Sequence, residues 1–189
     1  LGIDSEVLDI AGQRFIELPR FDRIGELGRI GVFSLKALDD EFVGEAMASW
    51  SVIVARLAAG GVVQPQAVEG SALLWAFGTL IGNTDMHTGN LSFISRDGRP
   101  YQLAPAYDML PMGFAPRSGG GLVDTLSPAN LTGVIDGDVW RQALHLAVVF
   151  LAKLRDATTA GRFSDGFARC VTSLAQHIED ASVRIARLA

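Results

Sequence analysis

Residues 65–80 constrain the fold more than any other stretch of this chain. They include Leu73, Leu74, Trp75, Phe77 and Leu80 and are apolar on nearly all sides. A helix of that kind has no face to give to water, so other elements must surround it. Gly82 ends it, and a polar run follows at once: Gly82-Asn83-Thr84-Asp85-Met86-His87-Thr88-Gly89-Asn90. The sequence therefore delivers a cluster of polar groups to the end of a buried helix. Two amphipathic helices that can cover it are expected near residues 138–155 and 164–188. The second of these has Phe167, Val171, Leu174, Ile178 and Ile185 on one face.

The first third of the chain reads differently. Val7, Leu8 and Ile10, then Phe15, Ile16 and Leu18, flank Ala11-Gly12-Gln13-Arg14 and predict a β-hairpin that Pro19 ends. Residues 20–29 are polar and glycine-punctuated and read as a loop. Asp39 and Asp40 suit a helix N-terminus, and Phe42, Val43, Ala46, Met47, Trp50, Val54 and Leu57 predict one helix closed by Gly60-Gly61. Leu91 and Phe93 pair in prospect with Tyr101 and Leu103 across a turn marked by Asp97-Gly98. Residues 111–130 hold three of the seven prolines and the run Gly119-Gly120-Gly121, and read as a long mobile loop. Trp50, Trp75, Trp140 and Cys170 are expected in the core. The fold class is mainly α (α+β) with small β-hairpins.

Composition removes several function classes. With 189 residues, 49% hydrophobic and 20% charged, the chain is one domain or a lobe of a larger one, and not disordered. A net charge of −5 argues against a dedicated nucleic-acid binder. Cys170 is the only cysteine, so no internal disulfide forms. With no basic-then-apolar leader, and with the longest apolar stretch (residues 143–152) too short to span a bilayer, a cytoplasmic protein is expected.

The polar run carries the chemistry. Asp85 with Asn90 five residues on, in a loop between a buried helix and a hairpin, has the spacing of a phosphotransferase catalytic loop. One carboxylate must orient the attacking hydroxyl and accept its proton, and a nearby amide oxygen can bind a hard cation without adding a second carboxylate's repulsion. Asp108, in Ala106-Tyr107-Asp108-Met109-Leu110, is a lone carboxylate that with Asn90 would supply a magnesium site bridging phosphates. The same residues also suit plain turn chemistry: Asn83 capping the helix, Asp85 making an Asx-turn, Gly89 supplying positive φ. His87 has no partners for a zinc set, since His145 and His177 lie far off in helices.

The run N-T-D-M-H-T-G-N-L-S-F, then Y-Q-L-A-P-A-Y-D-M-L, and upstream F-I-E-L-P-R-F-D-R resemble, in that order, the HipA-like family of bacterial serine/threonine kinases. The resemblance implies the helical large lobe of a protein-kinase-like fold. Residues 1–23 would be a remnant of the N-terminal lobe's strands and hinge, and residues 24–189 the C-terminal kinase lobe. It implies that Asp85 is the proton acceptor and that Asn90 and Asp108 hold Mg2+. His87, Thr88, Gly89, Asn90, Tyr107 and Asp108 would approach ATP, with Pro19, Arg20 and Phe21 as the hinge against the adenine. It also implies a toxin that phosphorylates proteins of the translation machinery, with a small DNA-binding antitoxin as partner.

Departures matter too. No glycine-rich phosphate loop precedes the catalytic loop, and the only lysines are Lys36, after the hinge-like segment, and Lys153, in a late helix. The phosphate-anchoring lysine is therefore absent. With Leu1 in place of an initiator methionine, the expectation is a chain lacking most of the N-terminal lobe, weak or inactive alone. Two rivals stay open: a non-catalytic module that docks an antitoxin or another protein, and a small-molecule kinase using a related loop.

Overall fold

The computed structural model of the chain describes residues 5–116, 118–121 and 123–188. It is mainly helical with small antiparallel sheets, and it separates into two compact units. One unit comprises the chain up to Val68 together with His87–Asp108; the other comprises Glu69–Met86 and the chain from Met109 onward.

The first unit begins with β1 (Glu6–Ile10) and β2 (Gln13–Glu17), paired antiparallel with Ile10 opposite Gln13. The two-residue turn places Ala11 at φ 52° and Gly12 at φ 77°, a primed turn whose twist matches the strands. Val7, Ile10, Phe15, Ile16 and Leu18 all remain exposed on this hairpin. The segment expected to be a loop contains a further small hairpin, β3 (Arg23–Ile24) with β4 (Gly28–Arg29). A two-residue ladder is too short to leave an alternating pattern.

β5 (Gly31–Ser34) is a strand the hydrophobic pattern did not announce. It pairs with β6 (Ser92–Ser95), which pairs with β7 (Gln102–Leu103), in the order β5-β6-β7. Phe33 stacks on Tyr101 with ring centroids 4.7 Å apart.

The single helix expected after Asp39 is instead two. α1 (Leu35–Phe42) is capped by Ser34 Oγ, which accepts from Ala37 N, and α2 (Trp50–Ala59) follows after a break. Asp39 is not at an N-terminus. It is buried near the end of α1, where its Oδ1 accepts from Glu45 N at 2.9 Å and Gly44 turns the chain at φ 79°. A buried carboxylate that satisfies a loop N–H thus ends the helix, and Met47, which fitted the periodicity, is 99% exposed. Leu35, Leu38, Trp50, Ile53, Val54, Leu57 and Phe93 form this unit's buried core.

α3 (Gln66–Leu80) is the expected central helix, with Ala72, Leu73, Leu74, Ala76 and Leu80 buried. In the second unit its residues pack with α4 (Gly137–Thr159) and α5 (Asp165–Ile185), each close to its expected span. Asp136 caps α4 by accepting from Asp138 N at 2.7 Å. Trp140 has no exposed area and donates its indole N–H to Thr132 O; truncating such a residue to alanine costs about 3–5 kcal/mol. Leu174, Ile178 and Ile185 are buried as the α5 periodicity predicts, and so is Cys170, whose thiol pKa burial pushes up. Residues 111–130 contain a short 3-10 turn, Met112–Phe114, and otherwise no helix or strand among the described residues.

Candidate active site

The turn that carries Asp85 starts from the way α3 ends. Gly82, at φ 74°, donates its N–H to Thr79 O, and Asn83 donates to Gly78 O at 2.8 Å. This pair of bonds is a Schellman cap, and it needs a left-handed residue at position 82. The bonds place Asn83 inward, where it is 6% exposed. Asn83 Oδ1 accepts from the Asp85 N–H at 2.9 Å, and Asn83 Nδ2 contacts Met109 Sδ at 3.4 Å. Asx-turn chemistry is therefore present at Asn83, whose side chain holds the Asp85 N–H. Asp85 itself is half-buried.

Two methionines and a leucine brace this turn within the second unit. Gly78 leaves a notch on α3: a Cβ there would overlap Met86 Sδ and lie 3.1 Å from Met109 Sδ. Gly113 donates to Gly82 O at 2.8 Å. Leu126 closes on both glycines, its methyls 2.7 Å from a Cβ at Gly82 and 2.5 Å from one at Gly113.

In the first unit the loop continues as a 3-10 turn, Thr88–Asn90. His87 Nδ1 accepts from Gly89 N at 3.0 Å, and His87 O accepts both from Asn90 N and, at 3.2 Å, from the indole of Trp50. Gly89 does not supply the positive φ expected of it. Its small size matters instead, because a Cβ would stand 2.7 Å from the His87 ring. Tyr107 OH donates to Gly89 O at 3.1 Å, so its one proton is spent there and Ser92 Oγ, 2.6 Å away, donates to it. The next residue, Asp108, has an exposed carboxylate and φ 53°, left-handed backbone that a non-glycine residue adopts at a cost of about 1–3 kcal/mol.

Pro19, Arg20 and Phe21, expected to act as a hinge, meet Tyr107 at one pocket of about 320 Å³, with Val32 and Ser92 also in its wall. The rings of Phe21 and Tyr107 stack with centroids 6.2 Å apart. Arg20 grips Asp22 with two bonds, 2.7 and 2.6 Å, and holds that carboxyl below the usual carboxylate range; Arg23 adds a weaker attraction.

Of the residues expected to act, Pro19, Arg20, Phe21, His87, Thr88, Gly89, Asn90, Tyr107 and Asp108 thus belong to the first unit and Asp85 to the second. Sequence reasoning missed Trp50, Ser92, Leu126 and Gly78 as supports. The last left a signal, since a glycine inside a helix commonly marks a close approach. The Asn90 amide oxygen and the Asp108 carboxylate are hard donors of the kind magnesium takes. Among the described residues no group of three or more His, Cys, Asp or Glu could enclose a metal. A phosphate-bridging magnesium needs only one or two protein carboxylates, so the donor set fits it in kind.

Residues 3–181 match the family described as HipA-like C-terminal domain. The chain is 36% identical over 188 residues to Toxin YjjJ of Escherichia coli (strain K12), an alignment covering 98% of this chain and 41% of that protein. It therefore spans about two fifths of that curated relative's length. Among solved structures it is similar to a chain of the toxin–antitoxin complex of HipA, HipB and operator DNA from Shewanella oneidensis MR-1. That match has a TM-score of 0.44 and 17% identity, and it covers 98% of this chain and 45% of the other. On the family match across nearly its whole length, this chain belongs to the HipA-like C-terminal domain family.

Proposed function

We propose that the chain is the catalytic lobe of an ATP-dependent serine/threonine protein kinase, the toxin of a toxin–antitoxin pair held in check by a DNA-binding antitoxin. The observation that carries the reading is the built turn at Asp85. A buried asparagine fixes that residue's own N–H, so its half-buried carboxylate sits on a braced backbone. That is what a base that must meet a hydroxyl repeatedly in one geometry requires.

Asp85 orients the acceptor hydroxyl and takes its proton as the oxygen–phosphorus bond forms; the bond from the γ-phosphorus to the bridging oxygen breaks, and ADP leaves. The Asn90 amide oxygen and the Asp108 carboxylate would hold magnesium. When bound, that ion neutralises charge on the phosphate oxygens. Tyr107 keeps Gly89 O and Ser92 in place and, with Phe21 and Val32, offers the adenine ring a largely apolar slot. Lys36 is paired with Asp40 at 2.9 Å, and Lys153 lies in α4, so this chain supplies half of a phosphate clamp and transfers weakly alone.

Intact mass spectrometry after incubation with magnesium-ATP and a casein acceptor tests the reading, with Asp85→Asn alongside. Phosphate gain on chain or acceptor that drops at least about a hundredfold in Asp85→Asn, with an unchanged melting temperature, is expected. Equal transfer by the two proteins removes Asp85 from the mechanism.

A further inference from the structure

Beside the Asp85 turn lies a second pocket, of about 480 Å³, whose described lining residues all belong to the second unit. One side is formed by Trp75 and Thr79 of α3 and His177 of α5. Asn83, Thr84 and Met86, which flank Asp85 in sequence, form the edge, and Val123 with residues 125–130 forms the far wall. We infer that this pocket seats the acceptor as an extended, uncharged polypeptide segment, paired through its main chain to residues 125–127. The inference rests on the kinase reading above and names the acceptor that the same site takes.

Charge makes the first selection. Among the described lining residues there is no Asp, Glu, Lys or Arg. The one titratable group, His177, is 8% exposed, with Nε2 3.2 Å from Thr79 O. A charged side chain entering the pocket gives up hydration and meets no counter-charge among these lining residues, a loss that must be repaid elsewhere. A triphosphate is disfavoured for the same reason. Neutral side chains meet Trp75, Met86 and Leu126 without that loss.

The backbone of the far wall makes the second. Residues 123–132 run without a helix, strand, turn or bend. The segment is held at both ends, since Val123 O lies 3.9 Å from Cys170 Sγ and Ala129 O accepts from Arg184 Nη1 at 2.7 Å. Leu126 pins its middle against Gly82 and Gly113. Between these anchors the N–H and C=O groups of Thr125, Leu126 and Ser127 have no hydrogen-bond partner among the described residues. A braced length of backbone with unpaired N–H and C=O groups beside a pocket can pair with an extended peptide, with main-chain bonds giving affinity and the pocket giving selectivity. A peptide held there brings a serine or threonine next to Thr84 and Met86, hence to the residue between them.

The test uses a capped heptapeptide, Gln-Thr-Val-Ser-Leu-Thr-Gln, and three relatives: Lys at both positions flanking the serine, Glu at both, and N-methylation at both. Binding to the protein is followed by nuclear magnetic resonance, without ATP, through the Thr125, Leu126 and Ser127 amides and the His177 ring. The uncharged peptide is expected to shift these signals, and each relative to bind at least about tenfold more weakly. Ser127→Trp, at an exposed position in the pocket lining, is expected to weaken the parent peptide by a similar factor while retaining the wild-type melting temperature. No shift at these residues at millimolar peptide, or equal binding of the charged relatives, overturns the inference. So does magnesium-ATP moving these signals in place of the peptide. Phosphate transfer is read in a separate arm. Peptide bound at residues 125–127 with no phosphate transferred keeps the docking site and refutes the kinase reading; transfer without those shifts does the reverse.

Discussion

Gly82 is where one methyl group tests the architecture of the Asp85 turn. Gly82→Ala meets two separate penalties. The first is conformational: φ at 74° is left-handed, and an L-residue there costs roughly 1–2 kcal/mol. The second is steric: the new Cβ lies 2.7 and 2.9 Å from the two methyls of Leu126, an overpacking worth about 1–3 kcal/mol. Leu126 has little freedom to retreat, because a Cβ at Gly113 would stand only 2.5 Å from one of the same methyls. The expected loss is about 2–5 kcal/mol, measured by urea unfolding followed by circular dichroism. A double-mutant cycle separates the parts. In a Leu126→Ala background the overlap disappears and the strain stays, so Gly82→Ala should then cost only about 1–2 kcal/mol. Equal costs in the two backgrounds refute the packing argument, and a cost below about 0.5 kcal/mol in Leu126→Ala refutes the conformational one.

Two further predictions follow from the first unit. Tyr107→Phe removes the only side-chain donor to Gly89 O among the described residues and strands the Ser92 hydroxyl; a loss of about 1–3 kcal/mol is expected by urea unfolding, and a neutral result refutes these two bonds. Asp22 titrates below its ordinary value of 3.8 because Arg20 hydrogen-bonds its carboxylate. A group whose folded pKa is depressed contributes its stabilisation above the unfolded value and loses it as pH falls through the folded one. The Arg20–Asp22 contact should therefore persist at pH 5 and open only below 3.8, followed by the Asp22 carboxyl carbon resonance; a midpoint at or above 3.8 removes the pairing.

The long helices were legible because α3 is a long, nearly all-apolar run ended by Gly82 and the apolar period of α4 and α5 runs unbroken over many residues, so all three fall close to their expected bounds. Periodicity misled after Asp39, where Phe42 to Leu57 fit one helical face but a buried carboxylate and Gly44 divide it. Nothing local distinguishes a capping aspartate from one that ends a helix by bonding a loop N–H six residues on. β3 and β4 have two residues each, below the length at which alternation exists. The polar loop was legible through residue type and spacing. Its supports were not, because Trp50 reaches His87 across 37 positions and Tyr107 reaches Ser92 across 15. Such bonds are properties of the folded chain, and no window of sequence contains them.

The two candidate acids depend on backbone that ordinary residues avoid. Asp85 follows a left-handed Gly82 and is held by Asn83; Asp108 is itself left-handed and stands between Tyr107 and Met109 in the chain. Tyr107 is fixed by two hydroxyl bonds, and Met109 Sδ lies against both the Gly78 notch and Asn83 Nδ2. A strained φ persists only where neighbours over-determine it. Each acid is also followed directly by a methionine whose sulfur rests on the same helical glycine. The fold therefore places rigidity in the residues beside the carboxylates and leaves the carboxylates themselves half-buried or exposed, which is what the roles proposed for them, meeting a hydroxyl and a cation, require.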